Sequence, residues 1–96
     1  MKPSDALQTK RAQLRELVVR HGVAKPRVFG PVANGTDQEG SDLDLLVDPT
    51  DSTTLLRLSV LQLEAERLLG VHVDVLTPKS LPASFRDRVL AEALVL

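Results

Sequence analysis

Apolar residues recur along this chain with two periods, and the switches between them mark its elements. Over residues 4–21, Leu7, Leu14, Leu17, Val18 and His21 fall on one face at helical spacing. Ser4 is the candidate N-cap, and Gly22 is placed to end the helix. A short strand follows over residues 25–29, then the turn GPVANG and a polar loop. Residues 42–48 alternate cleanly, with Leu43, Leu45 and Val47 on one side and Asp42, Asp44, Leu46 and Asp48 on the other. Asp51 or Ser52 can cap a long helix from about residue 53 to 69, which Gly70 ends. Val71, Val73 and Val75 then alternate with His72, Asp74 and Leu76 in a third strand. A last helix runs from residue 82 or 83 to 93, with Phe85, Val89, Leu90 and Ala93 inward, and Leu94, Val95 and Leu96 form an edge strand.

This order predicts an α/β chain of α+β character, a small mixed sheet of three to four strands with helices covering one face. The strands over 42–48 and 71–76 flank a long helix, so they should be parallel neighbours joined by a right-handed crossover. Only about a dozen residues join the first strand to the second, too few for a crossover helix. Those two should run antiparallel, which brings residue 30 close to Asp42. Period two then gives the sheet one apolar face and one face carrying Asp42, Asp44 and Asp74. With 96 residues, one domain over 1–96 is expected.

Charge sharpens that picture. The net charge is −1, but residues 1–27 hold seven bases and two acids, while residues 28–56 hold six acids and no base. Like charges about 4 Å apart repel by a few kcal/mol at an effective dielectric near 20. If acids of this stretch converge, a cation belongs among them. The absence of cysteine excludes disulfides, thiolate zinc sites and a cysteine nucleophile. Aromatic content of 2% argues against base-stacking platforms, and the near-neutral charge against nucleic acid or a membrane surface as partner. No apolar run approaches a membrane span and the first residues lack a signal core, so a cytoplasmic location is expected.

In a D-x-D strand the two side chains share a face about 7 Å apart, and Asp74 on a parallel neighbour comes within similar reach. Three convergent carboxylates suit Mg²⁺, and two such ions serve phosphoryl or nucleotidyl transfer. His72 falls on the same face, where it either approaches a ligand or stands exposed. Competing motifs fail. The turn has Thr36-Asp37 where a Walker A loop needs Lys-Ser/Thr, and residues 37–48 lack the glycine and final glutamate of an EF-hand loop. On the long helix, Leu58, Leu61, Ala65, Leu68 and Leu69 form one stripe, and Leu56, Val60 and Leu63 a second on nearly the opposite side. A helix apolar on two sides in so small a chain points to a protein partner, or else to scattered surface leucines.

The run FGPVANGTDQEGSDLDLLVD resembles the signature of the minimal nucleotidyltransferases, small members of the DNA polymerase β-like superfamily. That signature is an apolar strand, Gly-Ser, a short Ala-Arg-Gly turn, a polar loop and Ser-Asp-x-Asp-Leu. The likeness continues in VDVLTP at residues 73–78 and in RDRVLAEAL near the end. It implies that Asp42 and Asp44 are metal ligands, and that Asp74 is a third carboxylate that binds metal and activates the attacking hydroxyl. It implies that Gly30, Pro31 and Gly35 cradle the triphosphate of ATP or another NTP and that Ser41 supports the loop. It further implies transfer of AMP to a protein hydroxyl and pairing with a helical HEPN-domain ribonuclease toxin, nucleotidylated on tyrosine. A homodimer is left open.

Two positions depart from the signature. Pro31 replaces its serine, removing a hydroxyl and a backbone N–H from the phosphates, and Asn34 replaces its arginine. Both changes weaken triphosphate binding and leave the metal ligands intact. The phosphates then need bases from elsewhere, with Arg27 or Lys25 as candidates, or the protein acts as an inert binding module that neutralises its partner by complex formation.

Overall fold

Strand β2, Leu43–Pro49, is central to the computed structural model, which describes all 96 residues. Its neighbours are β1 (Val23–Phe29), antiparallel, and β3 (Val73–Leu76), parallel. The two-residue β4 (Leu94–Val95) adds antiparallel to β1, giving the order β3-β2-β1-β4. The mixed sheet, the antiparallel β1–β2 pair and the parallel β2–β3 pair agree with the sequence expectation, which assigned the edge strand β4 no direction. Helix α1 (Pro3–Arg20) and helix α3 (Leu55–Leu69) contribute Leu7, Leu14, Val18, Leu61 and Ala65 to one core with Leu43, Leu45, Val47 and Val73. Burial of these aliphatic side chains, worth about 1.5–3 kcal/mol each, holds the sheet against the helices. No helix is long and apolar enough to cross a membrane.

Several boundaries move, each for a local reason. Ser4 does not cap α1. Lys2 holds that position without a side-chain bond, Pro3 opens the helix, and the Ser4 N–H is instead accepted by the Asp37 carboxylate at 2.8 Å. Asp37 thus does by tertiary contact what a local cap does elsewhere, and it is almost fully buried. Neither Asp51 nor Ser52 caps α3. Thr54 does, its hydroxyl accepting the Arg57 N–H at 3.1 Å. The hydroxyls of Thr50 and Thr53, just upstream, both donate to the Gly22 carbonyl and tie this loop to the end of α1. Thr54→Ala should cost about 1 kcal/mol in urea unfolding, the ordinary value of a cap.

Strand β1 starts two residues earlier than expected because it contains a bulge between Ala24 and Arg27, with Lys25 at φ 51°. Strand β3 starts two residues later, at Val73. The second sheet face is not wholly polar. Leu46 is fully buried there and so is Leu81, both outside the main core. A 3₁₀ turn at Pro78–Ser80, absent from the sequence expectation, covers this half of the face. Helix α4 (Ala83–Glu92) follows. Phe85, Val89 and Ala93 are half-buried as expected of its inner face, but Leu90 is exposed. Arg86 fastens α4 by donating to the carbonyls of Pro78 and Leu81.

Candidate functional site

Register places the carboxylates. Parallel pairing sets Leu43 beside Val73 and therefore Asp44 beside Asp74, on the face away from α1 and α3. Antiparallel pairing sets Phe29, the last residue of β1, beside Asp44. The chain leaves β1 through Gly30 into the single turn of helix α2 (Pro31–Asn34), which Gly35 closes. Gly30 has φ 69° and ψ −151°, a conformation open essentially to glycine alone. A Cβ there would collide with Asp44 Oδ2. The turn backbone and the Asp44 carboxylate are thus packed directly together.

That contact explains the electrostatics of Asp44. Half-buried under Gly30, its carboxyl is pushed up to about 6, first by desolvation and then by the charges of Asp74 and Asp42. Asp42 lies just before β2, one residue outside the strand expected to hold it, and is exposed. Its carboxylate, that of Asp74 and a ring nitrogen of His72 all lie within 4.8 Å of one another. His72 completes this group, on the face where the sequence allows it to approach a ligand or stand exposed. Its Nε2 is 3.3 Å from Asp74 Oδ1, and its Nδ1 is 2.6 Å from Glu66 Oε2 on α3. The His72 ring titrates above the ordinary imidazole range: partial desolvation opposes this, and the charges of Asp42, Glu66 and Asp74 outweigh it.

The donor set fits a hard divalent cation. It offers the carboxylate oxygens of exposed Asp42 and half-buried Asp74, and their negative charge adds to the desolvation that raises the proton affinity of neighbouring Asp44. Asp42 and Asp74, with Asp44 paired beside Asp74, are the carboxylates that could hold it.

The other expected residues are less uniform. Beside the turn is a cavity of about 420 Å³, lined by Phe29, Gly30, Ala33, Asn34, Phe85, Arg88, Val89 and Glu92. Gly30 reaches it, whereas Pro31, Gly35 and Ser41 do not line it. The Ser41 hydroxyl accepts the Gln38 N–H at 2.9 Å and so braces the loop before Asp42. Arg27 is not free for phosphates, since it is ion-paired with Asp48 and mostly buried. Lys25 lies toward the opposite end of β1 from Gly30. The base that does face the turn is Arg88, brought over by α4 to the cavity that Asn34 also lines. The likeness in RDRVLAEAL pointed to that segment but assigned Arg88 no role.

A sequence model of the family described as Nucleotidyltransferase domain matches residues 10–96. Two curated relatives are similar over most of their length. One, from Methanocaldococcus jannaschii and provisionally named a protein adenylyltransferase, is 40% identical over 78 residues, 81% of this chain and 84% of the relative. The other, protein adenylyltransferase MntA of Thermococcus cleftensis, is 37% identical over 83 residues, 86% of this chain and 84% of that protein. Among solved structures, one provisionally described as a minimal nucleotidyltransferase superposes with a TM-score of 0.86 at 43% identity, covering 97% of this chain and 95% of that one. A toxin–antitoxin structure with AMP-PNP shares the fold, with a TM-score of 0.74 at 19% identity over 88% of this chain and 69% of the other.

Proposed function

From the premise that the chain belongs to the nucleotidyltransferase-domain family and is a nucleotidyltransferase, we propose that, as one domain over residues 1–96, it transfers AMP from ATP to a hydroxyl of a partner protein. The partner we infer is a helical HEPN-type ribonuclease toxin, to which the chain is the antitoxin. The observation that carries the reading is the register of β2 on β3. It sets Asp44 beside Asp74, with Asp42 and His72 around them, at the exit of the Gly30 turn. The names of the adenylyltransferase relatives support the nucleotide and the protein acceptor. The toxin–antitoxin structures support the partner.

The residues divide the work as follows. Bound Mg²⁺ would neutralise the triphosphate and polarise the α-phosphorus. Asp42 and Asp44 would hold the cations, and Asp74 would both contribute to them and accept the proton of the attacking hydroxyl. The hydroxyl oxygen bonds to the α-phosphorus, the bond from that phosphorus to the bridging oxygen breaks, and pyrophosphate leaves with the electron pair. The turn from Gly30 brings backbone close to the phosphates. Arg88 supplies the positive charge that Asn34 no longer provides. On α3, Leu55, Leu56 and Leu63 remain exposed, an apolar surface that a protein acceptor would cover.

Arg88→Ala should weaken ATP binding in calorimetry by about tenfold or more, the loss of a charge-assisted contact of roughly 1.5–3 kcal/mol. Arg27→Ala should cost stability and leave that affinity nearly unchanged. Equal ATP affinity in wild type and Arg88→Ala would remove the cavity from the phosphate site. The function itself is tested by incubating the chain with ATP, Mg²⁺ and the neighbouring gene's product, then weighing that product intact. A gain of one or more AMP units is expected. A stable complex with no mass gain would instead favour the inert binding module that Pro31 and Asn34 suggest.

A further inference from the structure

We propose that His72 is a nitrogen ligand of the metal centre, which therefore favours first-row divalent ions such as Mn²⁺ over Mg²⁺. The proposal rests on the reading of the three aspartates as a metal site and extends it to a fourth side chain. His72 stands just before β3, two residues from Asp74 and on its side of the sheet, and its carbonyl accepts the Leu43 N–H at 2.9 Å. The ring is oriented from behind. Glu66 Oε2 lies 2.6 Å from Nδ1, and the same oxygen accepts the Val73 N–H at 3.0 Å, so Glu66 is itself held in place.

A carboxylate on one ring nitrogen is the arrangement that sets a metal-binding histidine, because it fixes the tautomer and leaves the other nitrogen to present its lone pair. Here that nitrogen is Nε2, 3.3 Å from Asp74 Oδ1, where a bound cation would take the place of the ring proton. Ligand atoms about 2.1 Å from one ion stand no more than about 4.2 Å apart. The donors of Asp42, His72 and Asp74 lie within 4.8 Å of one another, so small side-chain rotations close the set. Mg²⁺ selects oxygen donors, whereas imidazole nitrogen is a ligand of the transition ions. The nitrogen therefore shifts the preference without adding charge. With Asp42 and His72 both exposed, a bound ion keeps open positions for phosphate oxygens.

The test uses the full chain and metal alone. Mn²⁺ is titrated by electron paramagnetic resonance with Mg²⁺ as competitor, and electron spin-echo modulation reports nitrogen bonded to Mn²⁺. Wild type should show the ¹⁴N signature. His72→Asn should lose it and bind Mn²⁺ about tenfold or more weaker, while Mg²⁺ affinity changes less than about threefold. Glu66→Gln should retain the signature with affinity between the two. Asp42→Asn should lose both ions. If wild type binds Mn²⁺ without a nitrogen signature and His72→Asn binds it equally well, His72 is no ligand and the carboxylate centre stands without it. If wild type binds neither ion, the carboxylate reading fails as well.

Discussion

Asp44→Asn is expected to cut nucleotidyl transfer by about 10³-fold or more and, in the same protein, to raise the melting temperature of the metal-free chain at pH 7.5. The first effect follows from the proposed role of Asp44, since the variant removes a charged ligand from the cation that would stabilise the transferring phosphoryl group, a contribution of several kcal/mol at about 1.4 kcal/mol per tenfold. The second follows from the environment of Asp44. The fold holds its proton more tightly than the unfolded chain does, with the carboxyl pushed up to about 6 by burial and by Asp74 and Asp42. The stability tied to this group is therefore fully present below the usual carboxylate range and is lost as pH rises through about 6. At pH 7.5 the charged form strains the native state.

The full shift corresponds to roughly 3 kcal/mol. Solvent reaches the half-buried side chain, and screening reduces this to about 1 kcal/mol. That is a rise of about 4–8 °C in a domain of this size. The measurement is a pair of thermal scans in EDTA at pH 5 and 7.5. Wild type should melt higher at pH 5, and Asp44→Asn should abolish most of the difference. A variant that melts lower than wild type at pH 7.5 would show that Asp44 is not the strained group.

Gly30→Ala should cost about 3 kcal/mol of stability and take transfer with it, whereas Gly35→Ala should cost only about 1 kcal/mol. The two glycines have nearly the same φ, 69° and 73°, at either end of one helical turn. They differ in ψ and in their neighbours. Gly35 sits in the ordinary left-handed well with nothing within 4 Å of an added Cβ, so alanine meets only the penalty of that well. Gly30 lies in a region open essentially to glycine, and its Cβ would strike Asp44 Oδ2. Relief requires either the turn or the carboxylate to move. Urea unfolding of both variants measures the combined extra cost of the Gly30 conformation and the collision. Equal losses would mean that neither the Gly30 conformation nor its contact with Asp44 carries energetic weight.

Much of this fold is legible from the chain because its signals are local. Alternation in LDLLVD needs no partner to be read, and the β2–α3–β3 order leaves few choices of strand direction. Caps and edges were less legible. Ser4 has the chemistry of an N-cap, yet its N–H is satisfied by Asp37, 33 residues away, which no local rule finds. Leu46 falls on the polar face by alternation, yet it is fully buried, because the Pro78–Ser80 turn and Leu81 return over that half of the sheet.

The candidate site divides along the same line. Sequence alone determined that Asp42, Asp44 and Asp74 lie on one face after a glycine turn, since period two and strand order depend only on neighbouring residues. It also determined that serine and arginine are missing from the turn. Tertiary structure decided which base stands at the turn. Arg27, adjacent in sequence, is consumed by Asp48, and Arg88, 58 residues beyond Gly30, is carried to the cavity by α4. It likewise decided that His72 faces Asp74, because Glu66, which orients the ring, comes from α3 and reaches it only when the helix packs on the sheet. Backbone periodicity assigns a side chain to a face; which groups meet there depends on how separate elements pack, and packing is not a local property of the chain.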